Sequence, residues 1–414
     1  MILIYRLLIN LILICAPLII LIRLIKKKED FSRFKEKFTF FSKSRKRGKL
    51  IWFHGASVGE LMSVIPLIEK LEKRKDINQI LVTTSTLSSA KIFTRFKFKK
   101  TIHQFFPVDV NYFSNKFLNY WRPNMAIFID SEIWPNMLTN LKKKSITHVL
   151  LNARITKKSF KRWMALGEFS KTLFKGFDYT YPQNEETKKY LNILNAKKIK
   201  KIGNLKFSES NFETKELIKS NLKTFLHNKK YWCAASTHEG EELIAAKVHM
   251  NLQKKFTNLI TIVIPRNIQR TQKIIDIFSE RGLKTHLYSE NKKISKKTQV
   301  YIVDTYGETN SIFKICKIVF LGKSLTAQGG QNPLEPARYN CKVIHGPKVS
   351  NFNEIYKLLG KNKISFRVNN KSQLIKKINE LLRKDIKLKY NENKINIMGE
   401  EILRKTLIEL KKFI

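Results

Sequence analysis

Two patterns of apolar and polar positions alternate along the 414 residues of this chain. Short apolar runs are typical of strands buried in a sheet, and apolar residues that recur every three or four positions are typical of helices packed on one. Their alternation predicts an α/β fold with parallel, doubly wound sheets. The predicted strands are 50–53, 79–83, 125–129 and 147–151 in the first half, and 231–235, 259–265, 298–304, 317–322 and 341–345 in the second.

The two series of strands predict two lobes. Between them, over residues 205–230, the chain turns polar and lysine-rich, with Phe207-Ser208-Glu209-Ser210-Asn211 at the proposed junction. A chain of this length is too long for one ordinary core. We therefore predict one α/β lobe over 51–210 and a second over 211–414. The last helix of the second lobe could pack against the first lobe.

The first residues of the chain differ from the rest. Residues 7–22 are almost wholly apolar and are flanked by Arg6 and Arg23. Such a segment is at the short end for a spanning helix, although both arginines can extend to the membrane interface. We predict a retained single-pass anchor over 1–25 and a basic linker over 26–50, and the basic residues after the anchor predict a cytoplasmic body. An interfacial helix that lies on the membrane is the alternative.

The formal net charge of +47 and the pI near 10.1 favour an anionic partner, such as nucleic acid, an anionic membrane surface or a phosphorylated substrate. The basic residues are scattered, however, and no zinc-finger spacing or RNA-binding signature accompanies them, so no nucleic-acid partner is expected. The four cysteines form no C-x-x-C pair, which argues against a disulfide framework or a structural zinc site and fits a reducing compartment.

Residues 51–60, with the sequence IWFHGASVGE, combine an apolar run, a glycine-containing turn and one carboxylate, Glu60, where a helix begins. Enzymes of the α/β class present reactive groups in this way at the carboxyl edge of a sheet. The alternative is structural, because Ser57 and Glu60 have the spacing of a capping box, in which both side chains satisfy free N–H groups. Ser236 and Glu239 repeat this spacing in the second lobe.

Further polar residues follow other predicted strands. DSEIWPN at 130–136 places two carboxylates after a strand, with helix capping by Asp130 as the alternative. In the second lobe, PRN at 265–267 ends a strand with an arginine that can pair with a phosphate. GKSL at 322–325 and GGQNPLEPA at 329–337 carry glycines that would let backbone N–H groups approach a phosphate before a helix start. The P-loop, dinucleotide, zinc-protease and α/β-hydrolase signatures are missing.

Seven motifs occur in the order HxASVGE, SEIWPN, NARITxxS, GNLKF, ASTHEGEE, IPRN and GGxNPLEPA, followed by Gly346-Pro347 and Asn351-Phe352. Together they closely resemble the motifs of the 3-deoxy-D-manno-octulosonic acid (Kdo) transferases of Gram-negative lipopolysaccharide synthesis. The resemblance runs from the N-terminal apolar segment to beyond residue 355. It implies the GT-B fold, in which two Rossmann-like lobes enclose a cleft, preceded here by a membrane-anchor helix.

The resemblance further implies an inverting glycosyltransferase that needs no metal and no cofactor. Its donor would be CMP-Kdo, and its acceptor would be lipid IVA, the lipid A precursor, at the anionic inner face of the inner membrane. By the family pattern, Glu60 is the general base, and Asp130 and Lys206 stabilise the transition state. The positions that match the CMP-binding residues are Pro265, Arg266, Tyr306, Gly307, Glu308, Asn332, Pro333, Leu334 and Glu335.

Three positions depart from the family pattern. Asp130 stands where glutamate is usual, Gln331 where histidine is usual, and Lys323 where a second glycine is usual. Two other functions stay open. A membrane-anchored basic adaptor that binds lipopolysaccharide precursors or nucleic acid would explain the anchor and the charge, but not the ordered polar motifs. A related GT-B enzyme would use another nucleotide sugar.

Overall fold

The computed structural model describes residues 1–208, 220–290, 292–384 and 394–413. The chain divides into two compact units, unit 1 of Met1–Ser210 with Ile397–Ile414, and unit 2 of Asn211–Asn396. The predicted junction at Glu209-Ser210-Asn211 lies outside the described residues. Each unit contains one parallel sheet.

Six strands form the sheet of unit 1: β1 Leu50–His54, β2 Gln79–Thr84, β3 Thr101–Phe105, β4 Met125–Ile129, β5 Thr147–Ala153 and β6 Tyr179–Pro182. Their order is β3-β2-β1-β4-β5-β6, and every neighbouring pair is parallel. The chain changes direction across the sheet between β1 and β4, which pair from Ile51↔Met125 to His54↔Phe128. In doubly wound sheets, ligands bind outside the carboxyl ends of the two strands at such a switch point.

Helices cover both faces of this sheet. Because successive side chains of a strand point to opposite faces, Ile51 and Phe53 of β1 join one apolar core, and Trp52 joins the other. The helices of unit 1 before the junction are α1 Ile2–Ile14, α2 Ala16–Ile25, α3 Val58–Glu72, α4 Leu87–Phe93, α5 Asn111–Trp121, α6 Pro135–Lys143, α7 Lys157–Ala165, α8 Glu168–Gly176 and α9 Glu185–Ile193.

Seven strands form the sheet of unit 2: β7 Lys230–Thr237, β8 Leu259–Pro265, β9 Thr285–Leu287, β10 Val300–Ile302, β11 Ile318–Leu321, β12 Lys342–His345 and β13 Ser365–Arg367. Their order is β13-β12-β11-β7-β8-β10-β9, so the switch point lies between β7 and β11. The remaining helices are α10 Ser220–Leu226, α11 Glu241–Leu252, α12 Thr271–Ser279, α13 Thr309–Ile315, α14 Leu334–Arg338, α15 Asn353–Lys361, α16 Lys371–Arg383 and α17 Lys394–Leu410.

All nine predicted strands are present, which confirms the α/β class with parallel sheets. The apolar pattern does not predict β3, β6, β9 and β13, and these are the four edge strands. An edge strand has a single neighbouring strand, and its sequence need not be a continuous apolar run. The β3 sequence, Thr-Ile-His-Gln-Phe, for example, mixes polar and apolar residues.

The apolar N-terminal segment forms two helices, α1 and α2, in place of the one continuous anchor helix that the sequence predicts. They meet at Cys15 with a bend of 54°. Pro17 lies in the first turn of α2, where a proline is tolerated but cannot continue a preceding helix, because it lacks an N–H group. No single described helix is long and apolar enough to cross a membrane, and only this bent pair meets that test of length and composition.

The segment 26–50, predicted as a basic linker, packs on unit 1. Glu36 is buried, accepts the N–H of Phe105 at 2.8 Å and pairs with Arg33 at 2.7 Å. Glu29 is also buried and pairs with Lys37 at 2.7 Å. Because Phe105 belongs to the edge strand β3, this segment occupies backbone groups that an edge would otherwise leave open.

Helix α17 packs against unit 1 beside the 3₁₀ turn Leu205–Ser208. Leu407 and Leu410 of α17 join the apolar core around β1. A Cβ on Gly399 would lie 2.3 Å from the carbonyl oxygen of Phe207, so only glycine permits this approach. The helix therefore supports the turn that carries Lys206.

Candidate active site

Glu60 lies in the first turn of α3, directly after the carboxyl end of β1. Its carboxylate accepts the N–H of Ala56 at 2.6 Å and the hydroxyl of Ser57 at 2.8 Å, and Ser57 Oγ accepts the N–H of Glu60. The capping box is therefore formed. The Glu60 side chain is only half-buried, so capping does not enclose the carboxylate. Both interpretations of this residue are compatible with its position.

Asp130 follows β4, the neighbour of β1, and is 5% exposed. Its Oδ2 lies 3.9 Å from Lys206 Nζ. Burial raises the pKa of Asp130 to about 6, although Lys206 and Arg154 act to lower it, and the nearby carboxylate of Glu60 raises it further. The structure thus brings Glu60, Asp130 and Lys206 together at the switch point of the first sheet. Asp130 does not cap α6, which begins at Pro135.

Asp130→Asn is expected to stabilise the protein more at pH 7.5 than at pH 4. The carboxyl of Asp130 ionises near its usual pKa of 3.8 in the unfolded chain and near 6 in the folded one. The wild type therefore loses stability as the pH rises from about 4 to about 6, by about 3 kcal/mol for a shift of two pH units. Asparagine carries no charge to bury. The difference in Tm between the variant and the wild type, measured across this range, should grow with pH, and a constant difference would contradict the expectation.

Glu132 and His54 form a hydrogen-bonded pair that the sequence does not assign to the site. Glu132 Oε2 lies 3.1 Å from His54 Nε2 and accepts the indole N–H of Trp134 at 2.8 Å. Burial acts to raise the pKa of Glu132, but these hydrogen bonds hold it below its usual value. Both residues lie inside quoted motifs, HxASVGE and SEIWPN, and Glu132 is the second of the two carboxylates that follow β4, but nothing in the sequence connects it with His54.

Asn152 and Arg154, at the end of β5, also belong to this edge. Asn152 Oδ1 accepts the N–H of Leu205 at 2.9 Å and so fixes the turn that carries Lys206. Its Nδ2 is buried and has no hydrogen-bond partner among the described residues. The N–H of Arg154 donates to the carbonyl of Asp130 at 3.0 Å. The motif NARITxxS contains both residues, but without the sheet order nothing connects them with Asp130.

In unit 2, the predicted donor residues follow β8, β10 and β11, at the carboxyl edge of the sheet. β8 and β10 are neighbours in the sheet, and β7 separates β8 from β11. Pro265 ends β8 and is in register with Thr237 of β7. The side chains of Arg266, Tyr306 and Glu335 are exposed, with Tyr306 at 69%. These three side chains are placed to contact a ligand at this edge.

The other predicted donor residues support the edge. Pro333 and Leu334 are buried. Asn332 Oδ1 accepts the N–H of Leu334 at 3.1 Å, which fixes the start of the short helix α14. Gly307 has φ +102°, where glycine is favoured. One carboxylate oxygen of Glu308 is buried and has no hydrogen-bond partner among the described residues.

Glu241 organises the loop after β11. It is fully buried, and its carboxylate accepts the N–H groups of Lys323 at 2.7 Å, Ser324 at 3.1 Å and Leu325 at 3.2 Å. A Cβ on Gly322 would lie 2.6 Å from Glu241 Oε2, so this arrangement requires glycine there. Three backbone donors of the GKSL motif are thus satisfied within the protein.

At this edge the structure departs from two patterns of the sequence, the capping-box spacing of Ser236 and Glu239 and the phosphate contact expected of the paired glycines. Ser236 and Glu239 form no capping box, because Ser236 lies in β7 and α11 begins after Gly240 without a side-chain cap. The N–H groups of Gly329 and Gly330 are not directed at a phosphate, since they donate to the carbonyls of Lys348 and Lys323. Glycine is needed at 329 and 330 for a left-handed backbone, with φ of +109° and +72°.

A family model described as "3-Deoxy-D-manno-octulosonic-acid transferase (kdotransferase)" matches residues 32–209. A 3-deoxy-D-manno-octulosonic acid transferase of Rickettsia felis is 35% identical over 88% of this chain and 79% of the relative. One of Rickettsia bellii is 34% identical over 95% of each. The chain belongs to this transferase family. It is therefore an enzyme, a glycosyltransferase.

A solved structure extends the likeness to the fold. The UDP-GlcNAc 2-epimerase of Neisseria meningitidis, 14% identical, superimposes with a TM-score of 0.59 over 87% of this chain and 100% of that one. At this identity the likeness concerns the fold alone. It agrees with two parallel sheets flanked by helices.

Lys323 of this transferase, where the resemblance leads us to expect glycine, has φ +57°. A lysine in this left-handed region costs about 1–2 kcal/mol, while glycine adopts it freely. Lys323→Gly is therefore expected to raise the free energy of unfolding by about 1 kcal/mol, part of the gain being offset by the greater freedom of glycine in the unfolded chain. Thermal or urea unfolding would measure the change.

Asn340→Gly is the matched control for this substitution. Asn340 has φ +60°, but asparagine tolerates the left-handed region. The gain at 340 should therefore be smaller than the gain at 323. An equal or larger gain at 340 would contradict the account of backbone strain at Lys323.

Proposed function

We propose that this transferase moves Kdo from CMP-Kdo to a sugar hydroxyl of lipid IVA, in lipopolysaccharide synthesis, with inversion at the anomeric carbon. The proposal rests on one observation: Glu60, Asp130 and Lys206 lie close together at the switch point of the first sheet. The family resemblance assigns the base and the transition-state stabilisers to these three positions. The names of the relatives support Kdo as the transferred sugar.

The proposed reaction is a direct displacement. The Glu60 carboxylate takes the proton of the acceptor hydroxyl, a weak nucleophile, while its oxygen bonds to the anomeric carbon of Kdo. The bond from that carbon to the phosphate oxygen of CMP breaks, and its electron pair leaves with CMP. Attack from the face opposite the leaving group inverts the anomeric centre. Glu60 is half-buried at a sheet edge, which supports access of the acceptor to its carboxylate.

Charge neutralisation would act on the leaving group. Positive charge develops at the anomeric carbon as negative charge passes to the phosphate, so cationic side chains stabilise the transition state. Lys206, beside Asp130, and Arg266, exposed at the carboxyl edge of the second sheet, are the candidates. Glu335 would accept ribose hydroxyls of CMP.

The acceptor is a lipid, so the proposal places the enzyme at the cytoplasmic face of the inner membrane. Its apolar contact with that membrane would be α1 and α2. Their side chains are largely exposed although they are apolar, with the exposed fraction above one half at Leu3, Leu7, Leu11, Ile14, Leu18 and Ile25. An exposed apolar surface of this kind is typical of a membrane interaction site.

Mass spectrometry of lipid IVA after incubation with CMP-Kdo and the purified full chain in detergent micelles tests the proposal. We expect lipid IVA that carries one or more Kdo residues, with CMP released only when the acceptor is present. An added chelator should leave turnover unchanged, because the proposed chemistry uses no metal. The configuration of the new linkage, determined by NMR, would test inversion.

Each alternative function predicts a different result. Transfer from another nucleotide sugar, with none from CMP-Kdo, would identify a related GT-B enzyme. Salt-sensitive binding of lipid IVA, without CMP affinity or product, would contradict the proposed reaction.

A further inference from the structure

Two side chains of α1 are bound to the body of unit 1. The Tyr5 hydroxyl donates to Asp109 Oδ2 at 2.9 Å. Arg6 donates to Asn136 Oδ1 at 2.9 Å and to Asn111 Oδ1 at 3.1 Å. Arg6 therefore does not extend to a membrane interface, as a flanking arginine would. The first turns of α1 are held by three polar side chains of the body, Asp109, Asn111 and Asn136, and not by apolar packing alone.

The acceptors of these bonds fix the start of α6. Asp109, 1% exposed, accepts the N–H groups of Asn136 at 3.0 Å and Met137 at 2.8 Å. Asn136 Nδ2 in turn donates to the carbonyl of Asp109 at 2.6 Å. The residue that precedes α6, Trp134, supplies no side-chain cap. Because the first N–H groups of a helix lack partners within it, Asp109 provides the cap that the helix's own sequence does not.

The start of α6 is connected directly to the candidate site. Trp134 donates its indole N–H to Glu132 Oε2 at 2.8 Å, and the same oxygen lies 3.1 Å from His54 Nε2. Asp130 begins this loop, and its pKa responds to the charge of Glu132. A displacement of the first turn of α6 would therefore move Trp134 and Glu132 and change the surroundings of Asp130.

We propose that Tyr5 and Arg6 are positioning residues, through which α1 holds the loop 130–134 in its catalytic geometry by way of Asp109 and Asn136. The inference rests on the proposed function, since it concerns the loop that carries Asp130. By this account, α1 influences kcat directly, in addition to any attachment to a membrane. Small displacements of catalytic groups lower turnover strongly, so a contact that holds this loop in place is expected to affect kcat.

The test compares variants of the full chain in detergent micelles with saturating CMP-Kdo and lipid IVA, where recruitment to a membrane does not limit the rate. The Tyr5→Phe/Arg6→Met variant should lower kcat by about tenfold and leave the KM for CMP-Kdo unchanged, because the proposed donor residues lie in unit 2. Tyr5→Phe alone, which removes one hydroxyl, should have an intermediate effect. The matched control, Asn10→Ala, changes an exposed side chain of α1 outside the proposed apolar membrane contact and should retain the wild-type kcat.

Hydrogen exchange supplies a readout that needs no catalysis. The N–H groups of Asn136 and Met137 should exchange faster in the Tyr5→Phe/Arg6→Met variant than in the wild type and in the Asn10→Ala control. A wild-type kcat in that variant, or unchanged exchange at these two residues, would overturn the inference, even if the Tm fell. If the wild type transfers no Kdo, the proposed function fails, and the exchange rates alone then decide whether α1 holds α6.

Discussion

Glu60→Gln is expected to lower kcat by about 10³-fold while α3 stays folded, since a general base contributes about 10² to 10⁴ to a rate. The amide oxygen can still accept the N–H of Ala56, and the amide N–H₂ group can donate to Ser57 Oγ, so the capping contacts survive. What the amide cannot do is take a proton from the acceptor hydroxyl. Turnover of CMP-Kdo with lipid IVA, measured beside the Tm and the affinity for CMP, separates these effects. CMP affinity should stay unchanged.

Ser57→Ala is the matched control, because it weakens the cap and keeps the carboxylate. It removes the acceptor of the Glu60 N–H and one donor to the Glu60 carboxylate. We expect a loss of about 1 kcal/mol in the free energy of unfolding and turnover within tenfold of the wild type. If Glu60→Gln retained more than a tenth of the wild-type kcat, Glu60 would be a capping residue and the assignment of the base would fail.

Lys206→Met is expected to have the second-largest effect, a loss of about 10²–10³ in kcat, the usual cost of removing one preorganised charge or donor from a transition state. It should also destabilise the protein by about 1–2 kcal/mol, because Asp130, 5% exposed, loses a cation 3.9 Å away. Single-turnover kinetics and thermal unfolding would measure the two effects separately.

The Asp130→Asn/Lys206→Met variant completes a double-mutant cycle. Removing both charges leaves no unpaired buried carboxylate, so stability should recover while turnover stays low. Recovery of turnover in the double variant would mean that the pair has only a structural role. Lys200→Met is the control, since Lys200 is 61% exposed and pairs with Glu409 at 2.7 Å. Its loss should change stability by less than about 1 kcal/mol and leave kcat unchanged.

The strands that the apolar pattern predicts are those with neighbours on both sides. β1, β4 and β8 are buried along their whole length, so their sequences are largely apolar. The edge strand β3 includes His103 and Gln104, and its outer side is covered by Glu36, a residue nearly seventy positions earlier. That cover is a tertiary contact, so no local pattern indicates it.

The candidate site is predictable to the extent that its residues follow strands. Glu60 and Asp130 come directly after β1 and β4, and these strands are neighbours at the switch point, so the order of the sheet brings the two carboxylates together. The contact of Asp130 with Lys206 depends on the turn that Asn152 and α17 support. These contacts join residues that are far apart in the sequence, so they cannot be predicted from the spacing of those residues along the chain.

The glycines of unit 2 show how a motif can be recognised for the wrong physical reason. The pair Gly329 and Gly330 suggests a loop that offers N–H groups to a phosphate, yet both groups donate to carbonyls of the protein. Glycine is required there by backbone conformation and by the close approach of Val349 to Gly330. The sequence indicates that glycine is needed, but not which contact needs it.

The sequence by itself determined the α/β class, the family and the position of Glu60 at a helix start. Burial, helix capping and the order of motifs depend on residue types and on their local spacing, so the sequence shows them directly. Only the tertiary structure decided that the N-terminal segment forms two helices, that Tyr5 and Arg6 bind the body of unit 1, and that Asp130 meets Lys206. Such contacts depend on the order and register of strands and helices distant in the chain. A pattern of neighbouring residues cannot specify them.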